Sequence, residues 1–257
     1  MSKARLIDTS KCMACRGCQV ACKQWNGLLA VTTEQGGTYE NPRELSANTW
    51  IRVEFRERSG GWLFRPHTCM HCTDASCEKV CPAGAISHQG EVVTIDQARC
   101  IGCGYCVEAC PFHIPHKDEV GGTSRKCTFC IDRITNGLEP ACVKTCPSGA
   151  LQFGERSDLV DQGNRKAQQL RAAGFPNANL YGEYELGGLH TLYVLTERPS
   201  VMGLPENPQL ATHAAVTKWL AGIVTAGVIA VVPFWLLFRR KKELSEEKQS
   251  KVEGGVK

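Results

Sequence analysis

The sequence lacks a recognisable arrangement of catalytic side chains. It has seven histidines in 257 residues, and they are scattered along the chain. The two long stretches without cysteine, residues 23–68 and 152–212, hold no arrangement of acid, base and nucleophile. These absences argue against a substrate-converting site on this chain.

The N-terminal segment is not expected to be a secretion leader. The N-terminal residues Met-Ser-Lys-Ala-Arg-Leu-Ile-Asp contain neither an apolar stretch nor a twin-arginine motif. A chain of this length without a leader is not expected to be a disulfide framework, which is typical of short secreted proteins. The many cysteines therefore need another explanation.

No cysteine is left over when the 16 cysteines are divided into four groups of four, each ending in a C-x3-C step. Thiolates spaced C-x2-C-x2-C-x3-C bind one cubane cluster through three sulfurs and direct the fourth to a neighbouring cluster. The sequence therefore predicts four [4Fe–4S] clusters. A row of one-electron centres without a substrate pocket predicts electron transfer.

Structural zinc is the main alternative, since C-x2-C pairs also form zinc sites. Zinc sites usually join two separated pairs, whereas Cys100–Cys110 is one compact run followed by Pro111. A proline likewise follows the last cysteine of the second and fourth groups. This spacing favours clusters over a zinc-stabilised scaffold, which would lack iron–sulfur absorbance.

The positive formal charge does not indicate nucleic-acid binding. The value of +4, with a pI of about 8.3, treats every cysteine as a neutral thiol. Four clusters with thiolate ligands add about −8, so the holo-protein carries a charge of about −4. Basic residues beside the cysteines are expected either to offset this charge or to be ordinary solvated residues: Arg16, Arg99, Arg125 and Lys126.

Residues 69–112 are typical of one complete ferredoxin module. A hairpin predicted from residues 85–87 and 92–95, turned at Gln89-Gly90, separates its two cysteine groups. Because the fourth cysteine of each group crosses over, two sites are predicted. Site C comprises Cys69, Cys72, Cys77 and Cys110, and site D comprises Cys81, Cys100, Cys103 and Cys106.

The first and last cysteine groups form a second module, which is split by insertion of the first. An internal repeat supports this, because Cys81-Pro-Ala-Gly-Ala-Ile86 recurs as Cys146-Pro-Ser-Gly-Ala-Leu151. The gap of 11 residues between Cys130 and Cys142 departs from the compact run and needs a loop or helical excursion. The same crossover predicts site A from Cys12, Cys15, Cys18 and Cys146, and site B from Cys22, Cys127, Cys130 and Cys142.

Four residues near the ligands carry further predictions. Gly102 and Gly104 lie between ligands, where the lack of a side chain lets backbone N–H groups approach the sulfurs. His67 and His71 flank the second group but are expected to make ordinary hydrogen bonds, because each site already has four thiolates.

The predicted fold class is α+β, with two ferredoxin-like 2[4Fe–4S] modules, one inserted in the other, and one C-terminal transmembrane helix. Alternating residues predict strands at 49–55 and 189–195, and an amphipathic helix is predicted at 156–173, with Leu159, Val160, Ala167 and Leu170 inward. The expected divisions are a four-cluster domain at 1–153 with its inner module at about 66–114, a ligand-free extension at 154–212, an anchor at 213–240 and a tail at 241–257.

The run Trp219–Phe238 has 20 uncharged residues, enough to cross a bilayer as a helix. Four cations, Arg239–Lys242, follow it, so the tail is expected to be cytoplasmic and the cluster domain to lie on the periplasmic side of the inner membrane. Export in the folded state would then require a partner with a twin-arginine signal.

The span and the residues before it carry two smaller predictions. Gly222, Ala226 and Ala230 are spaced four apart and form a ridge on which another membrane helix can pack. His213 is expected to be an interfacial residue, since a single histidine supplies half of a bis-histidine haem site.

Three segments carry a resemblance to a known family: C-M-H-C-T-D-A-S-C-E-K-V-C-P, C-I-G-C-G-Y-C-V-E-A-C-P-F-H-I-P and K-C-T-F-C-I-D-R-I-T-N-G-L-E-P-A-C-V-K-T-C-P-S-G-A. They resemble the four-cluster subunits of membrane-bound molybdopterin oxidoreductases. With residues 41–47, residues 203–208 and the single span, the sequence is most similar to the beta (iron–sulfur) subunits of formate dehydrogenase-N type.

The resemblance implies a non-catalytic subunit. It would take electrons from a molybdenum- or tungsten-pterin catalytic alpha subunit and pass them through four [4Fe–4S] clusters to a cytochrome b gamma subunit, which reduces quinone. The same architecture serves membrane-anchored nickel–iron hydrogenases and reductases of sulfur compounds. The cluster motifs and the anchor do not distinguish among these partners or give the direction of the electrons.

Overall fold

Ten strands and seven α-helices form within the residues that the computed structural model describes, 2–58 and 61–253. The strands are β1 Lys3–Asp8, β2 Ile51–Arg58, β3 Gly61–Thr68, β4 Ile86–Gln89, β5 Val92–Ile95, β6 His116–Lys117, β7 Ser124–Arg125, β8 Leu151–Glu155, β9 Asn179–Tyr181 and β10 Thr191–Leu195. The helices are α1 Gly17–Trp25, α2 Ser76–Lys79, α3 Tyr105–Ala109, α4 Ile131–Ile134, α5 Ala141–Lys144, α6 Arg156–Ala172 and α7 His213–Glu253. A short 3₁₀ helix spans Glu185–Gly187.

The chain divides into two units, residues 1–211 and 212–257. The largest sheet of the first unit has the strand order β8-β1-β10-β9. β1 runs parallel to β10 and antiparallel to β8, and β10 runs antiparallel to β9. The sheet therefore joins the N-terminal strand to strands that follow the last cysteine.

Side-chain alternation gives this sheet two different faces. On one face, Ala4 and Leu6 of β1 pack with Leu192 of β10 and with Leu159 and Leu170 of α6. On the other face, Ile7, Tyr193 and Leu195 pack in a core with five buried cysteines: Cys18, Cys22, Cys69, Cys127 and Cys142. All five residues of β10 are buried, because both faces of the strand are covered.

The predicted hairpin between the middle cysteine groups is confirmed. β4 and β5 pair antiparallel from Ile86↔Ile95 to Gln89↔Val92, and Gly90 in the turn has φ +64°. The helix predicted over 156–173 is also confirmed, with Leu159, Ala167 and Leu170 buried and Val160 partly buried.

The two predicted strands exist, but their bounds differ from the expectation. β2 continues three residues beyond Phe55 because it pairs with β3 as far as Arg58↔Gly61. β10 begins at Thr191 rather than Leu189, because the Leu189 N–H donates to Gly182 O before the strand starts. The excursion between Cys130 and Cys142 is α4, a turn and the start of α5.

The second unit contains one long helix, α7, with Pro233 inside it. The segment Trp219–Lys242 has 24 residues and a mean hydropathy of 2.3, and it is the one helix in the described residues that is long and apolar enough to cross a membrane. This composition suggests single-pass anchoring. The side chain of His213 lies outside the described residues.

Candidate iron–sulfur sites

Each cysteine group begins with the same backbone turn. The residue directly before the second cysteine has a left-handed conformation, with φ 55° at Ala14, 46° at His71, 64° at Gly102 and 58° at Phe129. Three of these four residues are not glycine, although such residues rarely adopt positive φ. Consecutive N–H groups in turns of this kind form concave sites for anions. The four groups therefore share a backbone geometry suited to negatively charged sulfur.

Gly102 is constrained by space as well as by its conformation. A Cβ atom at this position would lie 1.8 Å from the carbonyl oxygen of Gly122. Gly104 has φ +81° immediately before α3, and nothing lies within 4 Å of where its Cβ would be. Only Gly102 is therefore fixed by the close approach of another backbone segment.

The four cysteines predicted for site B line one small cavity. All four are buried. Burial, followed by the charge of Cys127, raises the pKa of the Cys130 thiol to about 12. Burial and the charges of Cys127 and Cys142 also raise the pKa of Cys22 well above its ordinary value. The excursion through α4 thus returns Cys142 to Cys22, Cys127 and Cys130.

The cysteines predicted for site A also influence one another. Burial, and then the charges of Cys142, Cys12 and Cys15, raise the pKa of the Cys18 thiol to about 12. Burial raises the pKa of Cys12, and the charges of Cys146 and Cys15 add to the rise. Cys15 is exposed, so this group reaches the protein surface.

The cysteines predicted for site C lie before and after the β4–β5 hairpin in the chain. Burial, and then the charges of Cys69, Cys110 and Cys77, raise the pKa of the Cys72 thiol well above its ordinary value. Burial raises the pKa of Cys110 to about 11. The fourth cysteine of the third group is thus among the thiols of the second group.

The cysteines predicted for site D lie beside those of site C. Burial, and then the charges of Cys100 and Cys103, raise the pKa of Cys106, while the neighbouring Ser124 side chain opposes the rise. Cys81 and Cys106 pack against the same small core, which includes Ile86. Cys103 is exposed.

Thiols of different groups also act on each other's pKa, although burial is the larger cause in each case. These electrostatic interactions link predicted site A to B, B to C and C to D. The pairs are Cys18 with Cys142, Cys69 with Cys127, and Cys77 with Cys106. The thiol groups therefore follow one another in the order A–B–C–D, with the exposed cysteines in the two end groups.

The donor chemistry fits iron–sulfur clusters. Each predicted site offers four soft thiolate donors, and burial disfavours the thiolates unless a cation compensates them. Within residues 2–58 and 61–253, no three His, Cys, Asp or Glu side chains converge on a single ion. A cubane binds each sulfur through a different iron, so it suits wider groups than a mononuclear zinc site does.

Several hydrogen-bond donors lie at the cysteine sulfurs, and the most unusual is Arg5. Its Nη1 donates to Cys142 Sγ at 3.2 Å. Backbone N–H groups of Phe129 and Ser124 donate to the sulfurs of Cys127 and Cys100 at 3.3 Å and 3.4 Å. Arg5 was not among the predicted residues, although a charge between Ala4 and Leu6 in an apolar strand is a signal in the sequence.

Of the four cations predicted beside the cysteines, only Lys126 is buried. Its Nζ donates to Val93 O, and to Cys127 O at 3.2 Å. Its charge opposes the rise that burial causes in the pKa of Cys69. The other three cations have partners elsewhere: Arg125 pairs with Asp118, Arg16 lies over the Phe55 ring, and Arg99 donates to Ala83 O.

Each of the two histidines near the second group makes a hydrogen bond through one ring nitrogen, as predicted. His67 Nδ1 lies 3.3 Å from Glu54 Oε1, and its Nε2 lies 3.1 Å from Phe112 O. His71 is fully buried and accepts the Val93 N–H at Nδ1.

Two 4Fe–4S dicluster domain families match the sequence, one over residues 11–85 and the other over residues 61–156. The nitrate-inducible formate dehydrogenase iron–sulfur subunit of Escherichia coli (strain K12) is 40% identical over 237 residues, covering 88% of this chain and 81% of the relative. The formate dehydrogenase-O iron–sulfur subunit of the same organism is 42% identical over 244 residues, covering 90% and 81%. The formate dehydrogenase iron–sulfur subunit of Haemophilus influenzae is 41% identical over 226 residues, covering 84% and 72%. This chain belongs to the family of formate dehydrogenase iron–sulfur subunits.

Proposed function

We propose that this chain relays electrons within a membrane-bound formate dehydrogenase, from a molybdenum- or tungsten-pterin catalytic subunit through four [4Fe–4S] clusters to a cytochrome b subunit and quinone. The row of thiol groups A–B–C–D carries the proposal, together with the family membership. Formate dehydrogenase relatives favour formate over hydrogen or a sulfur compound as the partner substrate.

Each bound cluster would supply reversible one-electron chemistry. The proposed ligands are those of sites A to D as the spacing predicts them. The cavity at Cys22, Cys127, Cys130 and Cys142, and the shared thiol interactions at the other sites, support this assignment.

The remaining residues of the first unit hold the sites and exclude water. Tyr193 and Leu195 of β10 pack under the cysteine core with no exposed surface. Backbone turns with positive φ present N–H groups, and donors such as Phe129 N and Ser124 N lie at the sulfurs. Such hydrogen bonds and a dry surrounding tune reduction potentials.

The nested arrangement of modules is part of the proposal. An inner module at about 66–114 lies within a four-cluster domain at 1–153, followed by the extension at 154–212. The pairing of β1 with β8 supports it, because residues 3–7 and 151–155 bring the two ends of the outer module together.

We also propose the topology of the anchor. The span 213–240 would place the cluster domain in the periplasm and the tail 241–257 in the cytoplasm, because four cations follow the apolar run. Protease added to spheroplasts should cleave the cluster domain. Protection that persists until the membrane is permeabilised would contradict this orientation.

Metal analysis tests the function as a whole. The complex retained by a tag on this chain, purified anaerobically from solubilised membranes, should contain about 16 iron atoms per chain, four for each proposed cluster. It should also contain molybdenum or tungsten and reduce dyes with formate. Nickel in place of molybdenum or tungsten would assign the chain to a hydrogenase, and zinc without iron would refute electron transfer.

A further inference from the structure

Arg5 is a cation buried between two cysteine groups. It is 1% exposed and lies on the face of β1 that is turned away from α6. Nη1 donates to Cys142 Sγ at 3.2 Å, and Nη2 donates to Thr191 Oγ1 at 2.9 Å and to Cys69 O at 3.4 Å. The guanidinium carbon lies 5.2 Å from the centre of the Phe129 ring. Arg5 thus contacts a site B ligand through its sulfur and a site C ligand through its carbonyl.

Among the described residues, no carboxylate forms an ion pair with this cation. Across the described part of the chain, the ion pairs of arginine with Asp or Glu do not include Arg5, and its Nε has no hydrogen-bond partner. A buried charge without an opposite charge is strongly unfavourable. Thiolates around a cluster carry that opposite charge, and the nearest to Arg5 is Cys142.

A fixed cation beside a redox centre stabilises the more negative, reduced form. A hydrogen bond to a ligand sulfur acts in the same direction, because it withdraws electron density from the thiolate. Only one ligand sulfur, that of Cys142, accepts a hydrogen bond from Arg5 in the described residues. The effect should therefore be largest at one of the four proposed clusters.

We propose that Arg5 is a positioning residue that raises the reduction potential of the cluster held by Cys22, Cys127, Cys130 and Cys142. The inference rests on the proposed function. Reduction adds one electron and no proton at this site, since a guanidinium stays protonated in both states. Thr191 fixes the side chain by accepting from Nη2 and donating to Cys69 O at 2.8 Å.

An EPR-monitored redox titration of the purified complex tests the proposal, with dithionite as reductant. Arg5→Gln removes the charge. Arg5→Lys keeps the charge but loses the two guanidinium NH2 groups that donate separately to Cys142 Sγ and Thr191 Oγ1. Arg171→Gln is the matched control, because Arg171 lies in α6, which packs on the other face of the sheet, and donates to Ala178 O. In Arg5→Gln, one midpoint potential should fall by about 59 mV, a tenfold change in the ratio of oxidised to reduced cluster. Arg5→Lys should move the same potential by less, and the control should move none.

Iron content separates the possible failures. Fewer than four clusters in the unmodified complex would refute the proposed function, whatever Arg5 does. The role of Arg5 would be refuted if an Arg5→Gln complex with full iron content showed four unchanged midpoint potentials or an equal shift of all four. The proposed electron-transfer function would not be affected by that result. If Arg5→Gln loses iron, the potentials of the Arg5→Lys complex are measured instead. Four unchanged potentials, or an equal shift of all four, would again contradict the role of Arg5. If Arg5→Lys also lacks part of its iron, Thr191→Val tests the role of Arg5 instead. This substitution removes the acceptor of Nη2 and should lower the same single midpoint potential.

Discussion

At the scale of the residue, the most informative feature is the left-handed residue before the second cysteine of each group. Ala14, His71 and Phe129 adopt this conformation without being glycine. Strained conformations of this kind persist where the surroundings enforce them, and they cluster at functional sites. Among these four positions, Gly102 is the one where a contact with another backbone segment would also exclude a Cβ atom.

Gly102→Ala should disrupt its cysteine group far more than a left-handed conformation alone explains. Gly90→Ala is the matched control, because both glycines have φ +64° and nothing lies within 4 Å of a Cβ at Gly90. The control should cost about 1–2 kcal/mol of stability and keep its iron. A Cβ at Gly102 also meets Gly122 O, so that variant should lose iron as well as stability. Anaerobic iron analysis and thermal melts measure both effects, and equal losses would contradict the argument.

At the scale of the element, the β2–β3 hairpin is organised around one buried carboxylate. Glu54 of β2 is 4% exposed. Arg65 donates to it from Nη2 at 2.6 Å, and Arg52 donates to it at 2.7 Å. Burial alone would raise the pKa of Glu54, but the adjacent His67 ring and the charge of Arg65 hold it well below its usual value.

Glu54→Gln should therefore destabilise the protein by about 3–5 kcal/mol, because it leaves Arg65 buried without its partner. Stability gained from a depressed carboxyl pKa is complete above the unfolded value of about 4.3 and is lost only in stronger acid. The difference in melting temperature between the variant and the unmodified protein should thus be constant from about pH 5 to 8. Glu57→Gln, at an exposed position of the same strand, should have little effect. A difference that shrinks towards pH 5 would be inconsistent with this carboxylate being ionised.

The sequence predicts elements whose cause is local and misses contacts whose cause is distant. The β4–β5 hairpin follows from its apolar strands and the Gln89-Gly90 turn, and the end of α6 follows from its pattern and Gly174. The contact between Arg5 and Cys142 joins residues 137 positions apart. Its geometry depends on the parallel pairing of β1 with β10, which no local pattern encodes.

At the scale of the whole molecule, the apolar part of α7 is proposed to anchor the chain in the membrane, and a pair of substitutions can test this role. Val228 and Ile229 lie near the middle of the segment Trp219–Lys242. Each arginine at the centre of a membrane helix costs about 3 kcal/mol of insertion free energy. Val228→Arg with Ile229→Arg should move the chain from the membrane to the soluble fraction, whereas Val228→Leu with Ile229→Leu should not. Unchanged membrane retention of the arginine variant would mean that a partner, rather than this helix, holds the chain.

The proposed order A–B–C–D has a consequence for the complete complex, because a single row of clusters would offer electrons no alternative route. Cys103 belongs to the proposed end site D and is exposed, so its replacement should disturb the fold least. Cys103→Ser should damage one cluster and strongly lower quinone reduction by formate, while formate oxidation with artificial dyes at the catalytic subunit stays near normal. Ser87→Ala, at an exposed position of β4, serves as the control for purification and assembly. Quinone reduction that persists in a Cys103→Ser complex shown by EPR to lack one cluster would exclude a linear row, because electrons would then be reaching the membrane subunit without site D.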